Sequence, residues 1–179
     1  IGILGSPLPE GNTAVLLREA LRGAAEAGCG TETIVLNNLD FQPCMEMMFC
    51  KEHETCTIDD DMQQVYGRIR DADSIIVATP VMTMGIPGRL KSFMDRCQVF
   101  FMAKYVRNDP LVAPEKRKVR CGLFICIAGM KIPEVVVGAK LTAKAFFDII
   151  DCPYRDELLI NDMDTIGDIR TRKDVEAAV

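Results

Sequence analysis

Residues 72–96 are ADSIIVATPVMTMGIPGRLKSFMDR, and this stretch decides the fold. Residues 74–78 form a short, largely apolar run, which is typical of a β-strand that is buried on both faces. The loop at 79–88 is punctuated by proline and glycine, and an amphipathic helix is predicted from about 87 to 104. A buried strand that leads through a short loop into a helix is the repeating unit of a parallel sheet covered by helices.

The same alternation of strand and helix recurs along the chain. Further strands are predicted at 1–4, 33–36, 119–128 and 154–160. Further helices are predicted at 12–28, 59–69 and 139–150, and a last helix is predicted at 174–179. We therefore expect a single α/β domain over residues 1–179, with a parallel sheet and helices on both of its faces.

Composition excludes several classes of function. The chain has 179 residues, is 49% hydrophobic and carries a net charge of −5, with no basic run longer than 116–118, so we expect no nucleic-acid partner. No apolar stretch approaches the roughly 20 residues that cross a bilayer, so we expect no membrane partner. The eight cysteines have no secretory context, which indicates a reducing, cytoplasmic location where thiols serve metals or redox chemistry.

The loop after the first predicted strand has the chemistry of a phosphate site. It offers the hydroxyls of Ser6 and Thr13, the amide of Asn12 and backbone N–H groups just before a helix begins. Neutral donors without Lys or Arg are typical of a site for flavin mononucleotide (FMN), whereas a plain helix cap is the alternative. A dinucleotide fingerprint and the lysine of a P-loop are both absent. The candidate cofactor-binding residues here are Ser6, Leu8, Glu10, Gly11, Asn12 and Thr13.

The loops after the third and fourth predicted strands are candidates to hold the flavin ring. A flat heteroaromatic ring needs an apolar edge together with backbone donors and acceptors, and a loop rich in Met, Pro and Gly supplies both. An ordinary turn with methionine as core filler is the alternative. The candidate residues are Pro80, Val81, Met82, Thr83, Met84 and Gly85, with Ala128 and Gly129 on the far side of the ring.

Residues 41–57, which we name the cysteine loop, contain Cys44, Cys50 and Cys56 in the pattern C-x2-M-x2-C-x5-C. A cysteine at Met47 would complete a spacing suited to a cubane iron–sulfur cluster, but a thioether is a neutral and weak ligand for iron. The three cysteines are therefore candidate metal ligands in an incomplete motif. A zinc site that includes His53, or thiol redox chemistry without metal, are the alternatives.

Four motifs together resemble the iron–sulfur flavoproteins and their cluster-lacking relatives, within the flavodoxin-like NADPH-dependent FMN reductases. They are L-G-S-P-x3-G-N-T at 4–13, P-C-x5-C-x5-C-x-I-x-D-D-M at 43–62, A-D-x-I-I-x-A-T-P-V at 72–81 and G-x-L-K-x-F-M-D-R at 88–96. The resemblance implies a flavodoxin-like three-layer sandwich, with five parallel strands in the order 2-1-3-4-5. The sequence departs from the family pattern at Met47, and at Leu8, where many members carry arginine.

The resemblance also implies a function. We expect an FMN-dependent oxidoreductase that passes electrons from NAD(P)H or ferredoxin to a small acceptor or a protein, and that assembles as a homodimer or homotetramer. No acid or base side chain is assigned to catalysis, since the flavin supplies the chemistry. A noncatalytic flavin-binding electron carrier, or an electron-transfer protein that binds an iron–sulfur cluster or zinc, remains the alternative.

Overall fold

The computed structural model describes residues 1–172 and contains one five-stranded sheet. The strands are β1 (Gly2–Leu4), β2 (Thr33–Val35), β3 (Ser74–Pro80), β4 (Cys121–Ile127) and β5 (Tyr154–Ile160). All neighbouring strands are parallel, and their order is β2-β1-β3-β4-β5. The predicted flavodoxin-like topology is therefore confirmed.

Helices connect the strands. They are α1 (Asn12–Glu26), α2 (Met62–Asp71), α3 (Gly88–Arg96), α4 (Gln98–Phe101), α5 (Pro114–Val119), α6 (Val137–Ile149) and α7 (Met163–Ile166). A π-helix follows α4 at Met102–Arg107, and short 3-10 turns lie at Leu36–Asn38, Phe49–Lys51, Pro133–Val136 and Ile169–Thr171. Across residues 1–172, no helix has the length and apolar character needed to cross a bilayer. The helix predicted at 174–179 lies outside the described residues.

The central strand β3 is buried on both faces, as its apolar run predicts. Ile75 and Val77 belong to a core that packs against α2, α3 and α6, whereas Ile76 and Ala78 belong to a second core on the side of α1. This alternation follows from the two-residue period of a strand. The result is the predicted three-layer arrangement, in which the loops that follow the strands lie at the carboxyl-terminal edge of the sheet.

Several predicted boundaries are shifted by one to three residues, and β3 extends to Pro80, two residues into the predicted loop. Two further differences have a clear structural cause. The helix predicted at 87–104 is interrupted after Arg96, where Cys97 adopts φ −74° and ψ 10°, and it ends in the π-helix. The strand predicted to begin at 119 begins at Cys121, because Pro114 occupies the first turn of a short helix that includes the exposed Val119. These two differences lie away from the loops that were predicted to bind the cofactor.

A buried arginine closes the amino-terminal end of the sheet. The side chain of Arg120 is 1% exposed and donates hydrogen bonds to the carbonyl of Ile150 at 2.8 Å and the carbonyl of Ile69 at 2.7 Å. Burial lowers the pKa of Arg120. This guanidinium joins the carboxyl-terminal ends of α2 and α6.

We expect Arg120→Met to lower the free energy of unfolding by about 2 kcal/mol, since two buried carbonyls lose charged donors. Part of that loss is offset, because the variant no longer buries a charge. Urea unfolding followed by circular dichroism measures the change. Arg155→Met on the exposed face of β5 is the matched control. An equal effect in the two variants would contradict the role assigned to Arg120.

Candidate functional site

The loops predicted to bind the cofactor meet at one edge of the sheet. They follow β1, β3 and β4, which are adjacent parallel strands. The backbone N–H of Gly5 donates to the carbonyl of Ala78 at 2.8 Å, and that of Val81 donates to the carbonyl of Ile127 at 2.7 Å. Ligands of open parallel sheets bind at this edge, where the strand order reverses between β1 and β3.

The loop after β1 ends at the amino terminus of a fifteen-residue helix. Gly11 is the N-cap of α1, and no side chain caps this helix end. Ser6 and Thr13 are 5% and 2% exposed, and the Ser6 Oγ accepts a hydrogen bond from the Leu8 N–H at 3.1 Å. A helix amino terminus without a side-chain cap leaves backbone donors and the positive end of the dipole for an anion.

Two residues predicted in this loop face solvent. Leu8 is 64% exposed, and the Glu10 carboxylate lies 3.1 Å from Arg18. Arg18 also donates to the Pro9 carbonyl at 3.4 Å, so a guanidinium from α1 lies beside a loop that contains no basic residue. Sequence reasoning missed Arg18, and the eight-residue spacing from Glu10 gave no clear signal of it.

The amide of Asn12 has partners far away in the sequence. Its Nδ2 donates to the carbonyl of Gly167 at 2.8 Å, and its Oδ1 accepts from the N–H of Ile169 at 3.1 Å. Sequence reasoning missed Gly167 and Ile169 as neighbours of the phosphate loop. The structure therefore links this loop to the segment that follows β5.

The loop after β3 forms a tight turn whose methionines point outward. Met82 and Gly85 exchange backbone hydrogen bonds of 2.9 and 3.0 Å, and Thr83 and Met84 between them have φ values of 49° and 61°. Two left-handed residues at these positions define a type I′ turn. Met82 and Met84 are 44% and 42% exposed, so they are surface residues and not core filler.

The loop after β4 is packed against the segment that follows β5. Ala128 is buried, and a Cβ at Gly129 would lie 2.4 Å from an oxygen of the Asp164 side chain, so a larger residue here would displace that carboxylate. Met130, which is 49% exposed, follows directly. An uncapped helix end with neutral hydroxyls fits the phosphate of FMN, and exposed thioethers beside backbone polar groups fit its ring.

Three arginines donate hydrogen bonds to backbone carbonyls within the cysteine loop or just before it. Arg89 donates to the carbonyls of Leu36 and Leu39, just before the loop. Arg96 donates to the carbonyl of Gln42 at 2.7 Å and forms an ion pair with Asp60. Arg107 donates to the carbonyls of Cys50 at 2.5 Å and His53 at 2.9 Å. The protein itself therefore fixes the path of this loop.

Thiols and thioethers line a cavity of about 460 Å³ beneath the cysteine loop. Its walls include Cys44, Met47, Cys50, Cys56 and Met102. Burial raises the pKa of Cys50, and the nearby Cys56 and Cys44 raise it further. Within residues 1–172, no three Cys, His, Asp or Glu side chains are arranged to hold a metal ion. This donor set, with one neutral thioether, does not fit a four-iron cluster.

Comparison with known proteins identifies relatives of this chain. It is 43% identical over 108 residues to an iron–sulfur flavoprotein of Methanocaldococcus jannaschii, covering 60% of this chain and 56% of the relative. It is 40% identical over 95 residues to an iron–sulfur flavoprotein of Methanosarcina thermophila, covering 53% of this chain and 50% of the relative. The chain thus spans about half the length of these curated relatives.

Solved structures share the fold. A flavone reductase matches with a TM-score of 0.69 and 20% identity, over 98% of this chain and 58% of the other. An NAD(P)H:quinone oxidoreductase from Methanothermobacter marburgensis matches with a TM-score of 0.69 and 17% identity, over 99% and 89% of the two chains.

The family described as NADPH-dependent FMN reductase matches residues 1–116, which include β1 to β3 and the loops that follow them. This match confirms the family that the sequence motifs predict, and FMN as the cofactor. From its fold, its loops and this match, the chain belongs to the NADPH-dependent FMN reductase family.

Proposed function

We propose that this chain is an FMN-dependent oxidoreductase that takes electrons from a reduced nicotinamide nucleotide and passes them to a small acceptor or a protein. The observation that carries the proposal is the meeting of three loops at one edge of the sheet. One loop leads into the uncapped end of α1, and another forms the exposed turn of Met82 and Met84. Ligands of this fold bind at that edge.

Each part of this edge has a role in the proposal. Ser6 and Thr13, with the backbone N–H groups of the first turn of α1, bind the phosphate. The backbone of residues 80–85 orients the ring, with Ala128 and Gly129 on the far side. Met82 and Met84 shield its apolar edge from water. Bound FMN supplies the redox chemistry, so no acid or base from the chain is needed for it.

A flavin-reduction experiment tests this function. The purified chain is mixed with FMN, and the visible spectrum and flavin fluorescence report binding. The complex is then mixed anaerobically with NADPH, NADH or reduced ferredoxin, and bleaching of the flavin band reports electron transfer. We expect FMN to bind and a nicotinamide nucleotide to bleach it. Absence of FMN binding would overturn the proposal, and bleaching by ferredoxin alone would assign the donor differently.

We expect Thr13→Val to weaken FMN binding by at least about tenfold, since a hydrogen bond to a charged group contributes about 1.5–3 kcal/mol. Valine keeps the shape of this buried side chain and replaces its hydroxyl with a methyl group. Fluorescence titration measures the dissociation constant. Thr142→Val on α6, whose hydroxyl donates to the carbonyl of Gly138, is the matched control. Equal FMN affinities in the two variants would refute the placement of the phosphate.

A homodimer or homotetramer is part of the same proposal. It is supported by exposed apolar side chains near the edge of the sheet where the loops after β1, β3 and β4 meet. Contiguous exposed apolar surface marks interaction sites. These side chains are Met82, Met84, Met130 and Ile132. Light scattering of the purified chain measures its mass, and a monomer at micromolar concentration would contradict this part of the proposal.

A further inference from the structure

The segment at 162–171 covers two of the loops that the proposed function assigns to FMN. Backbone N–H groups at its start donate to the loop after β4: Asp162 to Met130 at 3.3 Å, Met163 to Ala128 at 3.0 Å and Asp164 to Gly129 at 3.2 Å. Near its end, Asn12 bridges it to the first turn of α1. The segment therefore spans from the ring end of the site to its phosphate end.

The segment is packed as well as hydrogen-bonded. Met163 and Ile169 are 8% and 3% exposed, and both belong to the core on the side of α1 that includes Leu16 and Leu17. Burying two such side chains stabilises the docked segment. The apolar contacts fix its position over α1, whereas the two bonds to Asn12 fix its register.

Gly167 gives the segment the turn that brings its carbonyl to Asn12. It has φ 75° and ψ −74°, and the Asp168 N–H donates to the Ile166 carbonyl at 3.0 Å. These values define a classic γ-turn, which is strained for residues other than glycine. A Cβ at this position would meet no atom within 4 Å, so the requirement for glycine is conformational.

We propose that Asn12 is a positioning residue that fixes the 162–171 segment as a wall of the FMN site, and that it does not donate to the flavin phosphate. The inference rests on the proposed binding of FMN at this edge. Both functional groups of the Asn12 amide are engaged by the segment, one as a donor and one as an acceptor. Because the segment bonds the amide at both ends, it sets the orientation of the amide plane and of the remaining N–H on Nδ2.

Riboflavin separates the two roles, because it lacks the phosphate. A phosphate donor contributes to FMN binding alone, whereas a residue that positions a wall contributes to both flavins. We expect Asn12→Ala to weaken the binding of FMN and of riboflavin by the same factor, about three- to tenfold, as for the loss of one or two neutral hydrogen bonds. In contrast, Thr13→Val should weaken FMN binding and leave riboflavin binding unchanged.

Amide hydrogen exchange gives a second readout that needs no flavin. The Ile169 N–H is bonded to Asn12 Oδ1, so we expect it to exchange at least about fivefold faster in Asn12→Ala. Gly167→Ala should speed the same amide, since it strains the γ-turn. The matched control is Asn37→Ala, which removes another asparagine that donates to the phosphate loop, at the Pro7 carbonyl, and leaves the segment untouched.

The outcomes separate the two proposals. If Asn12→Ala weakens FMN binding alone, as Thr13→Val does, Asn12 is a phosphate donor and the inference is overturned. If Ile169 exchanges at the same rate in Asn12→Ala and Asn37→Ala, the link to the segment is absent and the inference also fails. Failure of the wild type to bind either flavin would overturn the proposed function, while the exchange experiment would still test the link.

Discussion

Replacing Asp60 with alanine is expected to lower the free energy of unfolding by about 3–5 kcal/mol. The Asp60 carboxylate accepts hydrogen bonds from both terminal nitrogens of Arg96, at 2.5 and 2.9 Å, and the two side chains are 9% and 1% exposed. The variant leaves a buried guanidinium without its counter-charge. The backbone N–H groups of Gln42 and Met62 also lose their acceptor. Urea unfolding followed by circular dichroism measures the loss.

The matched control for this variant is Asp95→Ala. Asp95 pairs with Lys91 on α3, where the two side chains are 46% and 51% exposed. Exposed ion pairs contribute about 0–1 kcal/mol, so the control should be nearly neutral. A loss in Asp60→Ala no larger than in the control would show that the ion pair does not hold the end of the cysteine loop.

The same pair makes stability depend on pH. Burial acts to raise the pKa of Asp60, but Arg96 and the backbone donors of Gln42 and Met62 outweigh it, so the net pKa is lowered. A carboxyl with a lowered pKa in the folded state contributes stability above its unfolded pKa and loses it as pH falls further. Wild type should therefore lose stability below about pH 4 more steeply than Asp60→Asn.

The sheet could be predicted because its signals are local. The apolar run in β3 needs no partner to be read as a buried strand, and the glycine- and proline-rich loop after it limits where the next helix begins. Parallel order then follows from the alternation of strands and helices. The three loops that meet at the carboxyl-terminal edge of the sheet could be located for the same reason, since each directly follows such a strand.

The irregular end of the predicted helix at 87–104 could not be found from local sequence. The π-helix brings Tyr105 to Asp148 and Arg107 to the carbonyls of Cys50 and His53, and these partners are 43 to 57 residues away. Hydrophobic periodicity records which residues are apolar, but it does not record which distant carbonyl an arginine reaches. The broken helix is thus a product of tertiary contacts.

The candidate site shows the same limit. Ser6 and Thr13 could be proposed as phosphate ligands from their place before a helix, but the partners of Asn12 lie 155 and 157 residues further along the chain. When the spatial partners of its side chain are unknown, an asparagine in a phosphate loop is predicted to donate to the phosphate. The contacts with Gly167 and Ile169, which no local pattern records, are the basis of the positioning role that we propose for it.

Met47→Cys is expected to convert a chain with less than about one iron into one that binds close to four. The change completes C-x2-C-x2-C-x5-C, and so replaces a neutral thioether with a thiolate. Arg96 and Arg107 already fix the path of the loop through its backbone, which leaves the side chains at 44, 47, 50 and 56 along the same cavity. Anaerobic reconstitution followed by iron and sulfide assays measures the gain.

Spacing, and not thiol number, is the basis of this expectation. Met48→Cys is therefore the sharpest control, because it adds a fourth thiol to the same loop one residue out of the motif, at a position with left-handed backbone, φ 58°. We expect it to bind little more iron than wild type. Four irons per chain in the wild type would show that Met47 does not limit the site and that a fourth ligand comes from elsewhere. Equal iron in Met47→Cys and Met48→Cys would show that the loop gathers metal through thiol number alone, since a cubane cluster needs ligands whose positions converge on it.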